Sequence, residues 1–156
     1  VVKIFTPARG VASRVMPVGD LGPENVVTAE PDTQVSDIVD RLRSENVGAI
    51  VVVEDDEPVG IVTDRDVALA VNEGGDVGDK SVQSVMTEDP VTLHEDEEAI
   101  EISRTIGEHN VRRIPVVDDD DKLTGIVTLD DLYATIGEQL DNVADTVEVQ
   151  SPKYSP

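Results

Sequence analysis

Apolar residues recur along this chain in two alternating rhythms. Val35, Ile38, Val39 and Leu42 fall at i, i+3, i+4 and i+7, the stripe of a helix that buries one face. Ala49–Val53 is apolar at every position, and Val59–Val62 follows it across the acidic stretch Glu54–Glu57. Two apolar strands joined by a tight polar loop predict a hairpin. A further helix is predicted after Thr63, carrying Val67, Ala70 and Val71. A short strand around Val26–Thr28 leads in. Asp32 or Thr33 is the predicted N-cap of the first helix, and Asn46 the residue that ends it in left-handed geometry.

The same pattern is then repeated. Thr28-Ala-Glu-Pro-Asp returns as Thr92-Leu-His-Glu-Asp, Asn46-Val47 as Asn110-Val111 and Ile50 as Ile114, each 64 positions on (28 to 92, 46 to 110, 50 to 114). Past the acidic turn the interval is 65 (60 to 125), where Gly60-Ile-Val-Thr63 reappears as Gly125-Ile-Val-Thr128 and Asp66 as Asp131. The second copy has Ala99, Ile102 and Ile106 on its first helix, with Ser103 in the place of Val39. Its hairpin is Ile114–Val117 and Leu123–Val127 around Asp118–Asp121, and its last helix carries Leu132 and Ile136.

The fold class expected is α/β of the α+β kind, two β-α-β-β-α repeats packed with pseudo-twofold symmetry. Repeats of about 50 residues bury little alone, so the two are expected to meet through the exposed faces of their hairpins. The predicted division is an N-terminal extension at 1–22, repeats at 23–73 and 85–138, a linker at 74–84 and a C-terminal tail at 139–156. The extension and the Pro-containing tail from Gln150, having little periodicity, are expected to be ordered poorly or only by neighbours.

Composition narrows the setting. The chain of 156 residues has no Cys, no Trp and one Phe, so disulfides and thiolate metal sites are excluded and the core is aliphatic. Thirty-four acidic against twelve basic residues give a net charge of −22. A Lys-poor, acid-rich surface suits a halophilic source, since at molar salt the Debye length falls to about 3 Å and self-repulsion is screened. Binding to a nucleic-acid backbone is disfavoured by that charge. No apolar run approaches the length of a bilayer span, and a soluble, cytoplasmic protein is expected.

Three segments carry a resemblance: Val47-Gly-Ala-Ile-Val-Val-Val, Val111-Arg-Arg-Ile-Pro-Val-Val-Asp, and the doubled Gly-Ile-Val-Thr-x-x-Asp. Over roughly residues 24–137 the chain resembles a tandem pair of CBS motifs, the Bateman module. The resemblance implies a regulatory module, not an enzyme, that holds an adenosine-type ligand in clefts between the repeats. AMP or ATP is expected before S-adenosylmethionine or a dinucleotide. Carried over by position, Thr63 and Asp66 would serve one ribose and Thr128 and Asp131 the other. The base would lie near Thr28, Ala49 and Ile50, or near Thr92, Arg113, Ile114 and Pro115. The resemblance further implies a homodimer formed through helices, with the faces Val67–Val71 and Leu132–Ile136 as candidates, and an unidentified target protein regulated in trans.

The residues support this reading and leave rivals open. A carboxylate accepts both hydroxyls of a ribose in charge-assisted bonds. Arg65, Arg112 and Arg113 fall inside the segments just named, with forks suited to phosphate. Yet Thr63-x-x-Asp66 and Thr128-x-x-Asp131 also match an N-terminal capping box, and the arginines could pair with surface acids. Asp130 stands where Arg65 stands, while Gly48 and Ala49 stand where Arg112 and Arg113 stand, so the two sites are not equivalent. His94 and His109 lack metal-ligand spacing. The rival of another class is a dimerisation module whose clefts are vestigial.

Overall fold

A hairpin that buries both faces must find cover on each side, and this requirement organises the chain. The computed structural model describes residues 16–22 and 25–150. Residues 1–15 and 151–156, most of the extension and the end of the tail, lie outside the described residues.

In the first repeat β1 (Thr28–Ala29) leads to α1 (Val35–Ser44), then β2 (Ala49–Glu54), β3 (Glu57–Thr63) and α2 (Asp64–Ala70). After a linker and β4 (Thr87–Glu88), the second repeat gives β5 (Leu93–His94), α3 (Ile100–His109), β6 (Arg113–Val117), β7 (Leu123–Thr128) and α4 (Leu129–Gln150). The strands form two sheets, ordered β1-β2-β3-β4 and β5-β6-β7. In each the first strand runs parallel to the second and the hairpin is antiparallel. The fold is the expected pair of β-α-β-β-α units.

Local chemistry explains the joints. Asn46 and Asn110 both adopt positive φ, at 54° and 55°, as predicted for residues closing a helix. Asp55 and Asp56 have φ of 49° and 68° between the paired Glu54 and Glu57, the two-residue turn that matches strand twist. The second turn is one residue longer. Asp118 Oδ1 there accepts from the N–H groups of Asp120 and Lys122, both at 2.9 Å. That inserted residue is the change of interval from 64 to 65. The helix starts differ from expectation: the cap positions are Gln34 and Ala99, neither with a side-chain bond. Thr33 Oγ1 instead accepts from Glu30 N at 3.2 Å in the preceding turn.

Each repeat has its own core, and the two cores use the same six positions. Ala29, Ile38, Ile50, Val52, Val62 and Val82 form the first; Leu93, Ile102, Ile114, Val116, Val127 and Val18 form the second. Burying each such Val, Leu or Ile contributes about 1.5–3 kcal/mol before the entropy of ordering is subtracted. Val39, predicted on the buried stripe, is exposed, and its counterpart Ser103 is too.

Val82 and Val18 reveal an exchange that the predicted division did not contain. Val82 lies in the predicted linker, yet its N–H donates to Thr33 O at 2.8 Å, while Val35 N donates to Lys80 O at 2.9 Å. Val18 lies in the predicted extension, yet its N–H donates to Glu97 O at 2.9 Å, while Ala99 N donates to Met16 O at 3.0 Å. The partners correspond at the 64-residue interval (18 to 82, 33 to 97, 16 to 80). The segment preceding each repeat therefore completes the core of the other. Gly22 belongs to this contact: a Cβ there would lie 2.0 Å from Ile126 O, so only glycine lets the lead-in reach the edge of β7. α4 continues as one helix of 22 residues to Gln150, into the stretch set apart as the tail.

Candidate functional site

The hairpins of the two repeats meet at both ends. At the turn end, Leu123 N donates to Asp56 O at 2.9 Å. Lys122 Nζ there donates to Asp55 O at 2.6 Å and pairs with Glu57 Oε1 at 3.0 Å. Glu57 and Lys122 occupy the same position in the two repeats (57 to 122), so the pair straddles the pseudo-twofold axis. Glu57 is the main cause of a Lys122 pKa held above its ordinary 10.5, by hydrogen bonding first and charge second.

The other end carries the residues singled out from the sequence. Ala49 pairs with Thr63 and Ile50 with Val62; Arg113 pairs with Thr128, Ile114 with Val127 and Pro115 with Ile126. Each threonine thus ends a strand beside the start of its hairpin partner and begins the next helix. Asp66 Oδ2 accepts from Thr63 N at 2.9 Å and from Thr63 Oγ1 at 2.6 Å. Asp131 Oδ2 accepts from Thr128 N at 2.8 Å and from Thr128 Oγ1 at 2.6 Å. Asp66 N and Asp131 N return bonds to the two hydroxyls at 3.3 and 3.2 Å. The capping box weighed against ribose binding is therefore formed in both repeats. All of these carboxylate bonds use Oδ2, and Oδ1 of each aspartate accepts none among the described residues.

The arginines do not take the surface-pairing alternative. Arg65, Arg112 and Arg113 make no side-chain ion pair among the described residues, and Arg65 and Arg112 are exposed. Arg113 instead crosses between repeats: a Cβ on Gly48 would lie 2.7 Å from its Nη2. Glycine at 48 leaves room for this guanidinium. Gly48 precedes Ala49, the partner of Thr63, so an unpaired cation from the second repeat stands at the capping end of the first.

Other predicted residues are placed elsewhere. Ile50 and Ile114 are fully buried in the two cores, and Pro115 is buried as well; none of the three offers a free surface to a base. Thr28 lines a hollow of about 260 Å³ with Val26, Val53, Asp56, Lys122 and Leu123. Thr92 lines one of about 280 Å³ with Glu57, Pro58, Asp89, Pro90, Val117 and Asp121. Both hollows lie at the turn end, away from the threonine–aspartate pairs, and apart from Asp89 their linings correspond across the axis. His94 is structural: Nε2 lies 3.0 Å from Asp119 Oδ1 and Nδ1 accepts from Asp96 N at 3.2 Å. Among the described residues no group of three or more His, Asp or Glu is placed to hold a metal ion. No helix among them is long and apolar enough to cross a membrane.

Two matches to one family model, the CBS domain, cover residues 18–73 and 82–138. The chain belongs to the CBS domain family. The matched ranges begin at Val18 and Val82, the two exchanged valines. Among curated relatives, CBS domain-containing protein YhcV of Bacillus subtilis is 35% identical over 115 residues, covering 74% of this chain and 81% of its own. Protein MK0525 of Methanopyrus kandleri is 34% identical over 136 residues, covering 81% and 69%. Among solved structures, the CBS domain pair of protein MJ0100, in complex with 5′-methylthioadenosine and S-adenosyl-L-methionine, superposes with a TM-score of 0.72 at 27% identity. It covers 80% of this chain and 98% of that one. CBSX2 in complex with AMP gives a TM-score of 0.67 at 26% identity, covering 79% and 98%.

Proposed function

We propose that this CBS pair is a regulatory sensor that binds an adenosine-type ligand at the capping end of its hairpins. AMP or ATP is the favoured ligand, ahead of S-adenosylmethionine. The observation that carries the proposal is the pair of pre-set aspartates, each with one oxygen engaged by its own cap and one left to accept from a sugar hydroxyl. A cap and a ligand site are compatible here because they use different oxygens of one carboxylate. Arg113 at Gly48, with Arg65 and Arg112, supplies the local positive charge that an anionic ligand needs in a chain of net −22. The CBS pairs with which this chain superposes hold AMP in one case and S-adenosylmethionine with 5′-methylthioadenosine in another.

The chemistry on offer is recognition: carboxylates accept hydrogen bonds and guanidinium groups neutralise charge. The sensor is proposed to act as a homodimer and to report to a separate target protein. Asp130 in the place of Arg65 leaves the second site less suited to a phosphate than the first. Calorimetry in molar KCl with AMP, ATP and S-adenosylmethionine tests the proposal. Submillimolar binding of at least one is expected, and binding no tighter than millimolar by all three overturns it for these compounds.

A further inference from the structure

The first repeat shows what the second one lacks beside its core. A hollow of about 350 Å³ opens between the lead-in, at Val18, Gly19 and Gly22, and the strand residues Val116, Gly125 and Val127. Val18, Val116 and Val127 belong to the second core, so these walls are apolar, and Glu95 lines the hollow as well. None of these residues belongs to the candidate ligand site. The corresponding hollow of the first repeat, lined in part by Pro31, Val59, Gln83 and Met86, measures only about 180 Å³. There the sulfur of Met86 takes the place that a side chain on Gly60 would occupy. Across the repeat interval Gly60 returns as Gly125, but Gln83 and Met86 stand where the second repeat has Gly19 and Gly22. The second repeat keeps the glycine floor and loses the two side chains that cover it.

Charge differs at the same place. Glu95, Asp96, Glu97 and Glu98 stand where the first repeat has Pro31, Asp32, Thr33 and Gln34. The lead-in crosses this acidic run. Gly19 N donates to Glu95 O and Val18 N to Glu97 O, both at 2.9 Å, and Pro17 is bridged to Glu98. None of the four acids makes an ion pair among the described residues.

The segment that runs into Met16 has the opposite character. Residues 1–15 carry Lys3, Arg9 and Arg14 and no acid, in a chain of net −22. Ile4 and Phe5 are the bulkiest apolar residues of the segment, and Phe5 is the only Phe of the chain. From Phe5 to Val18 the backbone can span up to about 45 Å, far more than the contact needs. Tethering at Met16 gives the segment an effective concentration of order millimolar, which favours it over a free partner of the same chemistry.

We infer that residues 1–15 dock on their own chain: Ile4 and Phe5 fill the hollow left by Gly19 and Gly22, and the basic residues lie against the acids at 95–98. At molar salt only ion pairs in contact survive screening, so the apolar anchor carries most of the contact. The hollow supplies the neighbour that a segment without periodicity needs in order to be ordered. The inference goes beyond the proposed sensor function and is independent of the adenosine ligand.

The chain has no Trp, so Phe5→Trp in the full chain gives a single fluorescent reporter. In molar KCl its emission is expected to be shifted to the blue and protected from acrylamide, relative to the same chain unfolded in urea. Thr124→Arg, which places a bulky cation in the wall, should return that tryptophan to solvent, and circular dichroism reports whether the variant is folded. A second measurement leaves the anchor unenlarged. Ile4→Ser/Phe5→Ser should shift the methyl resonances of Val18, Val116 and Val127 and leave those of Val52, Val62 and Val82 in place. A tryptophan as exposed as in the unfolded chain, together with unmoved wall methyls, overturns the inference. A tryptophan still protected in folded Thr124→Arg overturns the hollow as its site. Protection that is lost on dilution assigns the segment to a second copy and overturns docking within one chain. Calorimetry with nucleotides scores the ligand site separately.

Discussion

Replacing Asp66 by Asn separates the cap from the proposed ligand site, because the two use different oxygens. Oδ2 accepts from Thr63 N at 2.9 Å and from Thr63 Oγ1 at 2.6 Å. An asparagine whose carbonyl oxygen takes that place keeps both acceptors and turns the other oxygen into an NH₂. Hydrogen bonds to a charged group are worth about 1.5–3 kcal/mol against about 0.5–1.5 for neutral ones. The cap should therefore lose about 1 kcal/mol, a fall in Tm of about 2–4 °C for a chain of this size. The sugar side loses more, since a hydroxyl that donated to Oδ1 now faces a donor. A loss of about 2 kcal/mol there lowers affinity roughly 30-fold. Asp66→Ala should abolish both functions, with a capping cost of about 0.5–2 kcal/mol. The assay is calorimetry with AMP or ATP beside thermal melts in molar KCl. If Asp66→Asn keeps wild-type affinity while Asp66→Ala melts lower, the carboxylate is only a cap and the sharing of its oxygens is refuted. Asp131→Asn repeats the test in the second site, and the measured stoichiometry shows whether both sites fill.

Further outcomes follow from the packing. Val82→Ala and Val18→Ala, in segments predicted as linker and extension, should each cost about 2 kcal/mol in denaturant melts. Costs below about 0.5 kcal/mol, usual for surface positions, would show that the lead-ins are not part of the cores. Gly22→Ala should destabilise by about 1–3 kcal/mol, because its methyl meets the backbone oxygen of Ile126 at 2.0 Å; an unchanged melting temperature contradicts that contact. Lys122 is held above 10.5 in the folded chain, so its stabilising effect is complete below that pH and is lost as pH rises through the folded value. Alkaline titration of wild type should show a loss of stability that Glu57→Gln lacks, and identical profiles would count against the pair.

Much of this architecture was legible because duplication prints each signal twice. Gly-Ile-Val-Thr-x-x-Asp at two aligned positions marked both strand ends and both carboxylates, and the structure brings Thr63 to Ala49 and Thr128 to Arg113 as neighbours across each hairpin. The lead-ins were missed for a physical reason. Only Val18 and Val82 bury fully there, and one valine in a seven-residue stretch has no periodicity to detect. The 64-residue interval between them was the available signal. Ile50 and Ile114 were placed near a base by position, through the family resemblance, and alternation along β2 and β6 turns both side chains toward the helices. Ending the second repeat at residue 138 followed the shorter α2, whereas α4 runs on to Gln150. The asymmetry at Gly48 and Arg113 was visible as a difference between repeats, but its meaning, a side chain needing the space of a missing one, emerges only in three dimensions.

The crossing of Val18 and Val82 has a consequence for how such a chain could have arisen. A single 64-residue unit with its own leading arm has no place for that arm in its own half; the arm fits only a neighbour. Before the gene doubled, the unit could have closed its interior only by trading arms with a twin, as a swapped pair of identical molecules. Doubling turned that partnership into one polypeptide and freed the two halves to diverge. In a twin of identical units this position would carry the same residue on both sides of the axis; in the fused chain the two sides differ, as Glu57 and Lys122, and pair at 3.0 Å.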